Sequence, residues 1–152
     1  MPSPFEAHLL LCDAAQTDPN GKIHMLGAGW STIGSPMGPT AVAALINVPW
    51  DRTNEKIALE LVLLSDDGQL VQLPGPMGDQ PLQVTSEIEV GRPPGVLVGT
   101  PIPFPFSMNV GPLPLSPGRY EWRLTLNGES FSAPFTVVAI PGRQVPAAPP
   151  PS

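Results

Sequence analysis

Cysteine is nearly missing from this chain. Cys12 is the only one in 152 residues, so no intrachain disulfide can form. Cations are scarce too. Seven Lys and Arg stand against thirteen Asp and Glu, a formal charge of −6, and Lys22, Arg52, Lys56, Arg92, Arg119, Arg123 and Arg143 are scattered with no two adjacent. A phosphate-backbone binder needs clustered cations to release counterions, so nucleic acid and anionic membrane surfaces are excluded as partners. Long apolar runs are absent as well. Leu9 to Cys12 stops at Asp13, and nothing approaches the roughly 20 residues of a membrane span. The opening residues lack a basic region before an apolar run, so no secretory signal is expected. Together these features point to a reducing, cytoplasmic location, and the Ala, Gly and Pro bias to a bacterial source.

What the chain has in quantity is proline and glycine. Its 23 Pro and 15 Gly place it near the range of low-complexity sequences. Leu, Ile, Val and Phe still make up 41 residues of the 152, well above the share of roughly 20% below which chains stay disordered. A folded domain with many turns follows, and the length suits a single one, over residues 1–140.

The apolar residues alternate. Tyr120, Trp122, Leu124 and Leu126 interleave with Glu121, Arg123 and Thr125, and then come Asn127-Gly128. That dipeptide is the strongest short hairpin signal, because both turn residues must reach positive φ. A two-residue turn pairs Leu126 with Glu129 and Leu124 with Phe131, and Phe131, Ala133, Phe135 and Val137 continue the same face. Further strands are expected at Phe5 to Cys12, Lys22 to Trp30, Thr40 to Val48, Lys56 to Ser65, Gln69 to Leu73, Leu82 to Val90 and Phe104 to Val110. Asp18-Pro19-Asn20-Gly21 and Asp66-Asp67-Gly68 read as turns ending in a left-handed residue. No window has a sustained helical period.

Pro101, Pro103 and Pro105 occupy alternate positions. Alternate residues of a strand aim their N–H groups to one side, so these prolines delete the donors along one edge while Ile102, Phe104 and Phe106 keep theirs. That describes an edge strand; the competing reading is a polyproline loop. Pro117-Gly118-Arg119-Tyr120 has the look of a tyrosine corner, in which the phenol bonds upstream backbone; the alternative is a plain core aromatic. Residues 141–152 hold five prolines and little that packs, and read as a Pro-rich tail that is either disordered or extended along a neighbour.

No reactive constellation assembles along the chain. His8 and Cys12, four apart on a strand, would lie about 13 Å from each other, too far for a thiolate–imidazole pair. His24 has no second histidine nearby for zinc. No Gly-x-Ser-x-Gly elbow or phosphate loop exists, and Gly27-Ala28-Gly29 lacks the third glycine of a dinucleotide motif; it reads as a bulge or close backbone approach. Glu87 and Glu89, roughly 7 Å apart on one strand face, fit a solvated surface better than a glycosidase pair. Asp18, Asp51, Asp66, Asp67 and Asp79 fall in loops, which suits either turn capping or a calcium-binding loop cluster. No metal site, cofactor or catalytic residue is assigned. Trp50, where a strand ends beside Asp51 and Arg52, is either a contact residue or a cap on the core.

The segments Leu10-Leu11-Cys12-Asp13-Ala14-Ala15-Gln16, Gly21 to Trp30 and Val48-Pro49-Trp50, with Pro112 to Trp122, resemble an uncharacterised bacterial family of short all-β proteins, a domain of unknown function. The resemblance runs from about Phe5 to Val138. It implies a β-sandwich without catalytic residues and supplies no activity. The expected fold is an all-β, immunoglobulin-like antiparallel sandwich of seven to nine strands with a Pro-rich C-terminal tail. The expected function is a non-catalytic protein-interaction or structural module, not an enzyme. It would meet a protein partner or a second copy through Trp50, Ile102, Phe104 and Phe106 and the tail. The alternatives are a bacteriophage virion component, either capsid-decorating or tail-associated, and a calcium-dependent ligand-binding sandwich.

Overall fold

In the computed structural model, which describes residues 3–140, the chain is all-β apart from one 3-10 turn, Trp50–Arg52. Twelve strands form among the described residues, more than the seven to nine expected, and two sheets hold eight of them. The first sheet has three strands, β1 (Glu6–Cys12), β5 (Thr40–Val48) and β10 (Ile102–Val110), in the order β1-β5-β10 and antiparallel throughout. The second has five, β4 (Thr32–Ser35), β6 (Lys56–Ser65), β9 (Gln83–Glu89), β11 (Gly118–Leu126) and β12 (Glu129–Ala139), in the order β4-β12-β11-β6-β9. Only β4 runs parallel to its neighbour. The remaining four strands make two small ribbons: β2 (Ala14–Thr17) with β3 (Ile23–Leu26), and β7 (Gln72–Leu73) with β8 (Gln80–Pro81).

Both sheets feed one core. Val42, Ala44, Ile46 and Val48 of β5 meet Ile57, Leu59, Leu61 and Leu63 of β6, with Trp122, Leu124 and Leu126 of β11 and Phe135 and Val137 of β12. These are alternate positions, as the two-residue period of a strand requires. The β11–β12 hairpin forms in the expected register, Leu126 opposite Glu129 and Leu124 opposite Phe131. Asn127 and Gly128 take φ of 46° and 87°, the doubly left-handed turn that matches the strand twist. Asn127 also extends the β11–β6 ladder: its N–H donates to Ala58 O (3.0 Å), and its Oδ1 accepts from the Ala58 N–H (2.8 Å). Tyr120 donates its phenol hydrogen to Ser116 O at 2.7 Å, the tyrosine-corner bond, and stacks on Phe135 at 5.7 Å.

The edge reading of the prolines holds. β10 pairs with β5 alone, and Pro103 and Pro105 lie within the paired strand. Since they carry no N–H, the donors to β5 come from the even-numbered residues, and the outward edge is donor-poor.

The β2–β3 ribbon folds over the outer face of the three-stranded sheet. Cys12, Ala15, Ala41 and Ala43 form a second small core with Leu10, Ile23 and Met25. The side-chain amide of Asn109 locks the ribbon to the β10 edge, accepting from the Ala15 N–H (3.2 Å) and donating to Ala15 O (2.7 Å), as a peptide group in a neighbouring strand would. At the ribbon's base Gly27, at φ +60°, lies so close to Asp13 that a Cβ there would sit 2.1 Å from Oδ2. The close approach expected of Gly27 and Gly29 is met at Gly27 alone, since a Cβ at Gly29 would find nothing within 4 Å. Cys12 is fully buried, and burial, then the nearby Asp13 charge, pushes its thiol pKa up. It is an inert packing residue rather than a nucleophile. No helix among the described residues is long and apolar enough to cross a membrane. The Pro-rich stretch 141–152 lies outside the described residues.

Candidate functional site

At Pro49 the β5 strand gives way to the Trp50–Arg52 turn, closed by Arg52 N–H to Pro49 O (2.9 Å) and by Thr53 Oγ1 to Trp50 O (2.7 Å). The turn sends successive side chains to different places. Arg52 goes inward and is only 8% exposed. Its guanidinium lies 3.8 Å above the Phe5 ring, donates to Ser3 O (3.2 Å) and pairs with the Glu129 carboxylate, whose other oxygen accepts the Phe5 N–H (3.0 Å). A buried guanidinium is tolerable only with such partners around it. Asp51 goes outward and accepts the Ser3 N–H (3.0 Å) and the Ser3 hydroxyl (3.2 Å). The Ser3 N–H holds the Asp51 carboxyl below its usual range, ahead of the hydroxyl, against a smaller desolvation effect. Asp51 and Arg52 thus fasten the start of the chain, Ser3 to Phe5, across one end of the molecule.

Trp50 stands on this frame, half buried. The Arg92 guanidinium covers its ring at 3.9 Å, donates to Trp50 O (2.9 Å) and donates through Nε to Thr53 Oγ1 (2.6 Å). The indole is therefore fixed before any ligand arrives. It lines a surface cleft of about 550 Å³, together with Pro4, Pro49, Pro101, Gly99, Asn47 and the polar pair Glu6 and Asp51. A turn closed by Thr100 N–H to Leu97 O (3.1 Å) leads into it, presenting Leu97 and Val98 at 78% and 84% exposure. A smaller hollow of about 150 Å³ adjoins the cleft at Asn47 and runs over Leu45, Pro103 and Pro105 to Ile23. This is the half of the outer sheet face that the β2–β3 ribbon leaves bare.

The expected contact residues divide. Trp50 is in the cleft. Ile102 is not available: it is 6% exposed and belongs to the core. Phe104 and Phe106 are half buried and also pack against the core. The reason is parity. Ile102, Phe104 and Phe106 pair with Val48, Ile46 and Ala44, the inward-facing residues of β5, so they share that face. The outward face of β10 shows Pro103 and Pro105 instead. Sequence reasoning missed Asn47, Glu6 and Pro4, and the arginines that set the frame. The first two follow from the register, Glu6 opposite Asn47 opposite Pro103. The arginine stacking joins distant loops and leaves no local signal.

The loop aspartates stay apart. Asp18 accepts from the N–H groups of Asn20 (2.9 Å) and Lys22 (3.0 Å) and lies 2.8 Å from His24 Nε2, while Asp67 pairs with the Ser65 hydroxyl. Each serves its own turn, and among the described residues no three His, Cys, Asp or Glu side chains gather as a metal site. Glu87 and Glu89 are exposed on β9, with Lys56 Nζ 3.7 Å from Glu87.

The Trp50 cleft thus brings together a stacked aromatic, proline rings and a few acceptors, with exposed aliphatic side chains on the turn that leads into it. No curated protein matches the sequence. Residues 7–138 match a family of unknown function, DUF6941, nearly the same span as the resemblance read from the sequence, and the chain belongs to that family.

Proposed function

We propose that this protein is a non-catalytic interaction module, an immunoglobulin-like sandwich that meets a protein partner through the Trp50 cleft and the bare half-face beside it. The observation that carries the reading is Trp50 itself. It is held by Arg92 at 3.9 Å, open to a cleft of about 550 Å³, with Leu97 and Val98 exposed at its entrance. A pre-fixed tryptophan loses little freedom on binding, and such residues dominate the energetics of protein contacts. Exposed aliphatic side chains beside a concave apolar site mark a recognition surface rather than a reaction centre. The sandwich reading draws support from the shared core of the two main sheets and from the Tyr120 corner bond.

Site-specific photo-crosslinking tests this. A crosslinking residue in place of Asn47 should yield discrete adducts that disappear when Trp50→Ala is added. The same residue in place of Thr85, exposed on β9, should yield none. Equal labelling from both positions, or adducts indifferent to Trp50, would rule the site out.

A further inference from the structure

We infer that the occupant of the Trp50 cleft is the Pro-rich segment 141–152 of a second copy of this chain; this rests on the cleft being a contact site, as proposed above. Three observations carry it. The first is chemical fit. Proline-rich segments in polyproline form dock in grooves lined by aromatic side chains and give up little entropy in doing so, and Trp50 is the aromatic wall of this cleft. Residues 141–152 contain Pro141, Pro146 and the run Pro149 to Pro151. The second is charge. The cleft is lined by Glu6 and Asp51 and by no Lys or Arg, whereas Arg143 is the only charged side chain in the segment. In a chain of net charge −6, few segments of this length carry a positive balance.

The third is geometry, and it selects a second copy. Glu129, at the start of β12, binds Arg52 beside the cleft, and β12 then runs away from that end to Ala139. Ten steps of strand carry the chain about 34 Å off, and the cleft also lies on the far sheet, roughly another 10 Å across. Arg143 is three residues past Ile140 and reaches back only about 10 Å, and Pro149, nine past it, only about 30 Å. Arg143 therefore cannot meet its own cleft, and of the chain's own prolines only Pro150 and Pro151, about 33–40 Å from Ile140 at full extension, have the length to approach it. The Arg143 and prolines of a neighbour can dock there together, which ties copies together by an extended arm.

Sedimentation velocity of the full chain over a concentration series tests this. Self-association is expected, weakened roughly thirtyfold by Trp50→Ala, the loss of a central aromatic anchor. Glu6→Arg, on an exposed strand position outside the core, should weaken it as well, with no change in the circular dichroism spectrum. The decisive arm is complementation. Trp50→Ala copies keep the segment, and copies carrying Arg143→Glu with Pro149, Pro150 and Pro151 all changed to Gly keep the cleft. Each alone should stay monomeric, and the mixture should form a hetero-complex. Failure of the mixture to associate, or a full chain that is monomeric at every concentration, would overturn the inference. So would crosslinking from position 47 to residues 141–152 of the same chain. A monomeric chain that still gives Trp50-dependent adducts with another protein would overturn this occupant and leave the contact site standing. A monomer with no such adducts would remove both.

Discussion

The outer face of the β1-β5-β10 sheet is built in two halves that differ in side-chain size. Where the β2–β3 ribbon lies, the buried face is Cys12, Ala41 and Ala43, with Ala15 above them, all four under 7% exposed, and the half-buried Leu10 is the one large side chain of β1 packed against them. Four residues along β1 and β5, the same face shows His8 and Glu6, Leu45 and Asn47, with Pro103 and Pro105 from β10. Small residues let a second layer approach closely; the larger and polar ones do not. β5 registers the change directly. It is buried without interruption from Thr40 to Ala44 and alternates from Leu45 onward, because its first half is covered on both faces and its second half on one. The bare half is therefore not an unfinished layer. It is surface, and it runs into the Trp50 cleft.

The largest effect should come from forcing volume into the covered half. Ala43→Leu adds three carbons at a position with no exposure, between sheet and ribbon, and should cost about 2 kcal/mol in urea unfolding. Asn47→Leu, the same face two rows on, should stay within about 0.5 kcal/mol. Equal costs at the two positions would break the distinction between the halves. Next comes the lock. Asn109→Ala leaves the Ala15 N–H and C=O without their partners and should cost about 1–2 kcal/mol. Amide hydrogen exchange should speed up over Ala14 to Leu26 and leave β6 and β11 unchanged, showing the ribbon to open as its own unit. Gly27→Ala should cost about 1 kcal/mol through its positive φ and the contact with Asp13. Adding Asp13→Ala relieves the contact but not the backbone, so the double variant should recover only part of the loss.

How much of this was legible beforehand depends on the range of the signal. The β11–β12 hairpin is written in adjacent residues, alternation on both sides of Asn127-Gly128, and its register matched pair by pair. β5 and β6 also form with the expected ends, Thr40–Val48 and Lys56–Ser65. The expected strand Lys22 to Trp30 forms only as Ile23–Leu26, because Gly27 breaks it at the ribbon's base. Three strands went unforeseen for a different reason. β2 is four residues, Ala-Ala-Gln-Thr, with too little apolar content to alternate visibly, β4 joins its sheet by a parallel contact to β12 about a hundred residues away, and β8 is only Gln80–Pro81, too short to show a pattern. At the site, Trp50 was visible as an aromatic at a strand end. Ile102, Phe104 and Phe106 were misplaced because alternation reveals which residues share a face, not which face is inward. Here the prolines had already decided that question by taking the outward side.

The smallest effect concerns the tip of the ribbon, and its sign is fixed by Asp18. The Lys22 N–H, then the His24 side chain, with a weaker contribution from the Asn20 N–H, hold the Asp18 carboxyl below its usual range against a partial desolvation effect. A carboxyl with a lowered folded pKa stabilises the fold at every pH above the ordinary carboxylate range, and that contribution fades as pH falls through the lowered value. Hydrogen exchange in Thr17 to Ile23, corrected for intrinsic rates, should therefore be flat near neutrality and show faster opening only in acid. Asp18→Asn should remove the acid-dependent part while β11, whose residues Trp122, Leu124 and Leu126 sit in the main apolar core, keeps its protection in both variants. If the tip and the two main sheets loosened together, the ribbon would be an integral part of the main core. The contrast between a covered half with its own small core and a bare half would then lose its physical basis.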